Sequence, residues 1–369
     1  ALAYGGENAS NVYLAVTENW NGSSWTEVAD LNTAVNGPTG TGTAAAALSI
    51  TGSTASPPAG VEEWSNHPVT GQVWYNTTDN VVKGAAQTTA GAWATGGNLN
   101  TARYALGGAG ADNTSALVFG GGPNPVGSLT ESYNGASWTE VNDLTSGRSY
   151  IGGTGTQTAA LGFGGSSSPE PAGSAKTESW NGTSWTEVAD LNTARFITAS
   201  AGIQTSSLAI AGYRPSPNAS AITESWNGSS WTEVSDLNTS RWGNAGAGED
   251  NTSALTFGGF PTLTVTESWN GSSWTEVNDL NSGRFNLVGV GIKTAALAIG
   301  GEPATGITEE WDGTSWTETN DLSTGRWNMG PGGTQASAIV AGGLIPPSSA
   351  ATEEWTGAGS PLVQTFTDS

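Results

Sequence analysis

Cysteine is absent from this sequence, His67 is its only histidine, and Lys and Arg number 10 against 32 Asp and Glu. The missing cysteines remove disulfides and thiol chemistry, although they do not fix the compartment, because large extracellular β proteins also do without them. A net charge of −22 sets the whole-protein field against a DNA or RNA partner, so nucleic acid is not expected. The same acidic, Lys-poor composition favours solubility. Lys is scarce and Leu is far outnumbered by the 54 Gly, so the residues that build long amphipathic helices are few and almost no helix is expected. No run approaches the roughly 18 apolar residues of a membrane span, no basic-then-apolar leader opens the chain, and no membrane insertion is expected. The start at Ala1, in the middle of a repeat, reads as a processed protein or a fragment.

What the chain has is a repeat. The string TESWNGSSWTEV, followed by DLN and usually Arg, returns along the sequence. Its second Trp falls at Trp25, Trp93, Trp138, Trp185, Trp231, Trp274 and Trp316, and the last five intervals are 45, 47, 46, 43 and 42 residues. A period of this size marks a repeat architecture. The first interval, 68 residues, is one period plus an insertion at about 65–90 that carries Trp74-Tyr75-Asn76.

Each period holds four short strands. In residues 146–188, Arg148 opens a Gly-rich stretch, 158–165 is an apolar run ending in Gly164-Gly165, and TESW (177–180) and SWTEV (184–188) follow. Four short strands per unit is the blade of a propeller. Asn181-Gly182 separates the last two and recurs at Asn21-Gly22, Asn134-Gly135, Asn227-Gly228 and Asn270-Gly271, with Asp312-Gly313 as its equivalent. Asn-Gly is a strong hairpin signal. A two-residue loop would set Trp180 opposite Thr183 and Glu178 opposite Trp185, with both Trp and both Glu (Glu178, Glu187) on one sheet face. Turn chemistry also accounts for the Asn-Gly-Ser and Asn-Gly-Thr triplets that spell glycosylation acceptors.

An Arg, a Gly-rich strand, an apolar strand closed by Gly-Gly (Gly120-Gly121, Gly164-Gly165, Gly258-Gly259, Gly300-Gly301, Gly342-Gly343), an aromatic and a Trp resemble the kelch repeat of β-propellers. The resemblance implies an all-β, kelch-like propeller over residues 1–369. Departures are the Trp in place of the usual Tyr, Tyr133 excepted, and the decay of Gly-Gly to Thr51-Gly52 and Ala211-Gly212. The wording GQVWYNTTDN and GNLNTAR is also similar to repeat proteins of marine bacteriophages, which implies a virion or tail-fibre setting. Gly-Gly strands end near Gly6, Gly52, Gly121, Gly165, Gly212, Gly259, Gly301 and Gly343, which gives eight four-stranded blades. Blade one would lack its innermost strand, and 362–366 would be an eighth outer strand. Seven blades is the alternative, in which the strand around Trp25 completes the blade ending at Trp355.

Antiparallel order puts the Asn-Gly turns on one face of such a disc, and on the other the DLN connections with the variable, Pro-rich loops 53–60, 122–129, 166–176, 213–222, 302–307 and 344–351. Diverse loops on a repeated scaffold are where recognition sits. Arg103, Arg148, Arg195, Arg241, Arg284 and Arg326 each follow the DLN connection or its variant. Their recurrence points first to a structural role, pairing with a repeated acid or stacking on Trp. The functional alternative is an Arg and aromatic ring round the channel mouth, with Tyr104, Phe196, Trp242, Phe285, Trp327, Arg241 and Arg326 as ligand-binding residues.

No catalytic, cofactor or metal site is expected. The copper radical oxidases, built on kelch-like propellers, need a Cys crosslinked to Tyr and two His, and a sialidase needs a unique Arg cluster with a Tyr and Glu pair. Asp112-Asn113 and Asp250-Asn251 could hold Ca²⁺ but suit a turn better. Two functions from different classes remain. One is a non-enzymatic recognition module, on a virion surface or extracellular, that binds a cell-surface glycan or receptor protein. The other is a structural or decoration protein whose partners are virion subunits.

Overall fold

A computed structural model describes residues 90–358 except 124–126, 168–172 and 216–217, together with strands within 1–88 and Pro361–Phe366. The chain divides into two compact units, Thr89–Gly359 and the remainder. Every regular element described is a strand.

Thr89–Gly359 forms six four-stranded antiparallel sheets, so this part of the chain is a six-bladed β-propeller. Blades one to five run consecutively, from Gly107–Asp112 through Val288–Ile292 as inner strands to Trp138–Val141 through Trp316–Glu318 as outer ones. Blade six joins Gly330–Gly333, Ser337–Ala341 and Thr352–Thr356 to Ala92–Thr95, the strand that precedes blade one. The ring is thereby closed by pairing its first strand with its last blade.

Neither eight nor seven blades is correct. Two of the eight Gly-Gly strands, Leu2–Tyr4 and Ala46–Ile50, lie in the other unit, in three-stranded sheets with Thr17–Trp20 and Trp25–Glu27, and with Thr39–Gly42 and Glu62–Ser65. The segment 362–366 is no outer blade strand, because Pro361–Phe366 pairs with Val81–Gln87, a strand of the insertion. The physical reason is cross-strand pairing of the repeated Trp. Each complete blade sets one Trp, or Tyr133, opposite another, as in Trp226↔Trp231, and Trp355 finds its counterpart in Trp93 rather than in any later residue. Trp25 is already paired with Trp20.

The hairpin register also differs from the sequence expectation. Trp180 lies opposite Trp185 and Glu178 opposite Glu187, so the loop has four residues, 181–184. Asn181 Oδ1 accepts the N–H groups of Thr183 and Ser184, both at 2.9 Å, and only Gly182 of the pair has positive φ, +89°. The Asn acts as a side-chain brace across the turn. A slip of two residues preserves the side-chain period, so both Trp and both Glu still share a face.

Three sets of interactions join each blade to its neighbour. The Trp pair packs on the preceding blade's apolar strand: Trp226 and Trp231 bury against Leu161 and Phe163, with the Phe163 and Trp231 centroids 4.9 Å apart, edge to face. The outer Trp then donates its indole N–H to the TES threonine of that blade. The series runs Trp138 to Thr352, Trp185 to Thr130, Trp231 to Thr177, Trp274 to Thr223, Trp316 to Thr266 and Trp93 to Thr308, at 3.0–3.1 Å all round the ring. In every blade but the fifth, where Lys293 takes the place, an amide in the first turn completes the seam, as where Asn251 Nδ2 reaches Trp226 O at 2.9 Å and Asn113 Nδ2 reaches Trp355 O at 3.1 Å. Asp112 and Asp250 accept the N–H and hydroxyl of Thr114 and Thr252 in those turns, the role of turn residues.

At the axis the inner strands meet backbone to backbone. A Cβ on Gly153 would lie 2.5 Å from Gly108 O, and one on Gly289 the same distance from Gly246 O, so glycine there is a requirement of close approach.

Candidate binding face

Each DLN connection climbs to the axis and delivers an Arg into the blade it opens. All six guanidiniums are buried and each meets the glutamate of its own blade's TES or TEE strand. Arg103 Nη2 is 2.7 Å from Glu131 Oε1 and Arg148 Nη2 is 2.8 Å from Glu178 Oε1, and Arg195–Glu224, Arg241–Glu267, Arg284–Glu309 and Arg326–Glu353 repeat the pair. The other carboxylate oxygen receives the connection itself, for instance Asn100 N–H and Nδ2 at 2.7 and 2.8 Å on Glu131 Oε2. Burial pulls the guanidinium of Arg148 below its usual pKa, while Glu178 works in the opposite sense. Tyr133, the one Tyr among the Trp positions, donates to Glu354, and burial together with that bond pushes its pKa up to about 12.

Two residues beyond each Arg the chain turns left-handed. Ala105, Tyr150, Ile197, Asn286 and Asn328 have φ between 54° and 57°, and Gly243 has 68°. This conformation is uncommon for an ordinary L-residue, and most of all for β-branched Ile197. It is bound up with a closed cycle of backbone hydrogen bonds around the axis. Tyr150 N–H donates to Ala105 O, Ile197 to Tyr150, Gly243 to Ile197, Asn286 to Gly243, Asn328 to Asn286 and Ala105 to Asn328, at 2.7–3.4 Å. Six blades therefore share one six-membered collar. These residues and the start of each inner strand line a recess on the axis of about 90 Å³.

Around the collar, and sharing Tyr150 with it, aromatic rings form a continuous chain. Tyr104 meets Tyr150 at 6.4 Å, Tyr150 meets Phe196 at 6.1 Å, Phe196 meets Tyr213 at 4.9 Å, and Tyr213 meets Trp242 at 5.9 Å. Trp242 stacks on Phe260 at 4.5 Å and 13°, and both meet Phe285 edge-on. Seven rings from five blades thus make one arc on the variable-loop face. Most are half-buried, whereas Phe260 is 43% exposed.

Of the residues singled out in the sequence, Tyr104, Phe196, Trp242 and Phe285 belong to this arc. Trp327 lies apart on blade six, bridged to Leu344 and half-buried. Arg241 and Arg326 do not reach the face, since both guanidiniums are sealed under it with Glu267 and Glu353. The sequence reasoning missed Tyr150, Tyr213 and Phe260. Tyr213 and Phe260 immediately follow the closing Gly of the apolar strand, and their backbones run beside Phe196 and Trp242. Tyr150 stands where a Ser149-Tyr150 order moves the ring one residue later, onto the collar.

A closed, six-bladed propeller with four-stranded antiparallel blades is the class of protein this fold defines. The chain matches no protein-family model and no curated protein. Among solved structures it is similar in fold to "Structure of YjhT", with a TM-score of 0.56 and 12% identity over 72% of this chain and 99% of that one. At that identity the likeness is one of architecture, a distant kelch-like propeller.

Proposed function

We propose that the propeller is a non-catalytic recognition module, displayed on a virion or secreted, that binds a cell-surface glycan through its loop face. The aromatic arc is the observation that carries this reading. A chain of rings with hydroxyls at Tyr104, Tyr150 and Tyr213 offers apolar faces for sugar C–H surfaces and polar edges for sugar hydroxyls. The opposite face repeats the same Asn-Gly turn blade after blade, which suits a scaffold. Individual contacts of this kind are weak, and display in several copies raises avidity without new contacts.

Phe260→Ala combined with Trp242→Ala should lower adsorption to cells bearing the glycan about tenfold, the loss of roughly one stacking interaction per site. The thermal melt should remain cooperative. Adsorption unchanged in a folded double variant would favour the second reading, a structural or decoration protein whose partners are virion subunits.

A further inference from the structure

The chain has so few cations that each can be placed. Of the ten Lys and Arg, six Arg close the buried pairs with glutamate. Lys176 reaches Glu187 and Ser146, Lys83 belongs to the other unit, and Lys293 sits in the first turn of blade five, on the Asn-Gly face. Arg214 is what remains. It follows Tyr213, the middle ring of the arc, at a position where the other blades have Pro123, Ser167, Pro261, Pro303 and Ile345, so the repeat does not call for an Arg there. Tyr213 is bridged to Phe196 on one side and to Ala219 on the other, and Arg214 N–H donates to Asn218 O at 3.2 Å, which fixes the base of this loop beside the arc. Among the described residues the Arg214 guanidinium meets no carboxylate and no other acceptor. Its Nε is sealed without a partner, whereas Nη1 and Nη2 are not sealed. The half-buried side chain is therefore laid down at its middle and free at its tip.

A second observation sets Arg214 close to the paired Arg of its own blade. Burial, and in smaller part the like charge of Arg214, lower the pKa of Arg195 against the pull of Glu224. Glu224 has no oxygen to spare for a second cation, since Oε1 accepts Arg195 Nη1 and Thr193 N–H, and Oε2 accepts the backbone N–H and Nδ2 of Asn192. An unpaired cation beside a buried cation costs stability, and an anion arriving from outside would relieve it.

We infer that Arg214 is the seat of an anionic group on the glycan, a carboxylate or a sulfate, carried by the sugar ring that packs on Tyr213 and Trp242. The planar guanidinium can present Nη1 and Nη2 to two oxygens of such a group, and the neighbouring rings take the apolar face of the sugar. At the blade-five end of the arc the sign is reversed, because Glu302 is bridged to Phe285 and accepts Asn286 Nδ2 at 3.3 Å. A ligand along the arc is thereby oriented, its acid at blade three and its hydroxyls toward blade five. One free cation in a chain of net charge −22 suits one acidic group per bound stretch and disfavours a densely charged polymer. This deepens the recognition reading and rests on it.

The test is saturation-transfer NMR on the whole chain with methyl glucoside, methyl glucuronide and methyl glucoside 6-sulfate, which differ only at carbon six. At least one of the two anions should bind about tenfold more tightly than the glucoside, and which one it is names the group. That preference should shrink as salt is raised. Arg214→Met keeps the aliphatic stem and removes the charge, so it should erase the preference while leaving the glucoside signal and the melt as in the parent. Should that variant fail to fold, Arg214→Lys, which keeps the charge and loses the fork, should retain only part of the preference. Equal binding of the three probes, binding of none, or a preference that survives in folded Arg214→Met would each overturn the seat. Any of these with adsorption still lost in the Phe260 and Trp242 variants would leave the recognition reading standing. An acid preference with adsorption unchanged in those variants would uphold Arg214 and count against cell-surface recognition.

Discussion

Arg148→Met is expected to destabilise the propeller by about 3–5 kcal/mol, the cost of leaving one partner of a buried ion pair behind. Glu178 would keep a buried carboxylate that loses Arg148 Nη2 at 2.8 Å, retaining only the N–H and hydroxyl of Thr145 at 2.7 and 2.8 Å. The Arg148 guanidinium also ties Gly164 O at 2.7 Å, so the closing Gly-Gly of the apolar strand would lose its anchor as well. Removing the second charge, as in Arg148→Met with Glu178→Leu, should recover part of the loss, because the unpaired carboxylate is then gone. Urea melts of the parent and the two variants measure this, read at constant m-value. A single variant as stable as the parent would mean that the six pairs do not hold the connections to the blades.

Trp231→Ala should cost a comparable amount, roughly 3–5 kcal/mol for a buried large aromatic. The residue is 5% exposed, packs edge to face on Phe163 and sends its indole N–H to Thr177 Oγ1 of the preceding blade at 3.0 Å. Its loss opens one seam of a closed ring, so unfolding should stay cooperative at a lower midpoint. An unchanged melt would show that the repeated Trp are not what joins the blades.

The blade itself was legible in the sequence because its signals are local. Period, Gly-Gly strand ends and Asn-Gly turns each declare themselves within a few residues, and four strands per unit follow from them. Ring closure is a long-range choice that local signals do not encode. Trp25, Trp93 and residues 362–366 all read as candidate outer strands, and only the pairing of Trp93 with Trp355, 262 positions apart, separates them. The hairpin loop was misjudged for a related reason. Asn181 and Gly182 promise a two-residue turn, yet the bracing of Thr183 and Ser184 by the Asn side chain makes a four-residue one. Recurrence pointed first to a structural role for the six Arg, which their buried glutamate pairs fill, whereas Arg241 and Arg326, also named as ligand-binding, do not reach the face. The aromatic arc was half visible, since Tyr104, Phe196, Trp242 and Phe285 share a repeat position, whereas Tyr213 and Phe260 come from the variable loops and join them only in space.

The proposal that recognition belongs to one face of the propeller is tested most directly by a hydrogen-exchange footprint of the whole chain, with and without polysaccharide extracted from the surface of candidate host cells. Protection should appear in the collar and the arc, at Tyr104–Leu106, Tyr150, Phe196–Thr198, Tyr213, Trp242–Asn244, Phe260 and Phe285–Leu287. The Asn-Gly turns at 134–137, 181–184, 227–230, 270–273 and 312–315 should exchange as before. Protection confined to those turns, or none on either face, would contradict the account.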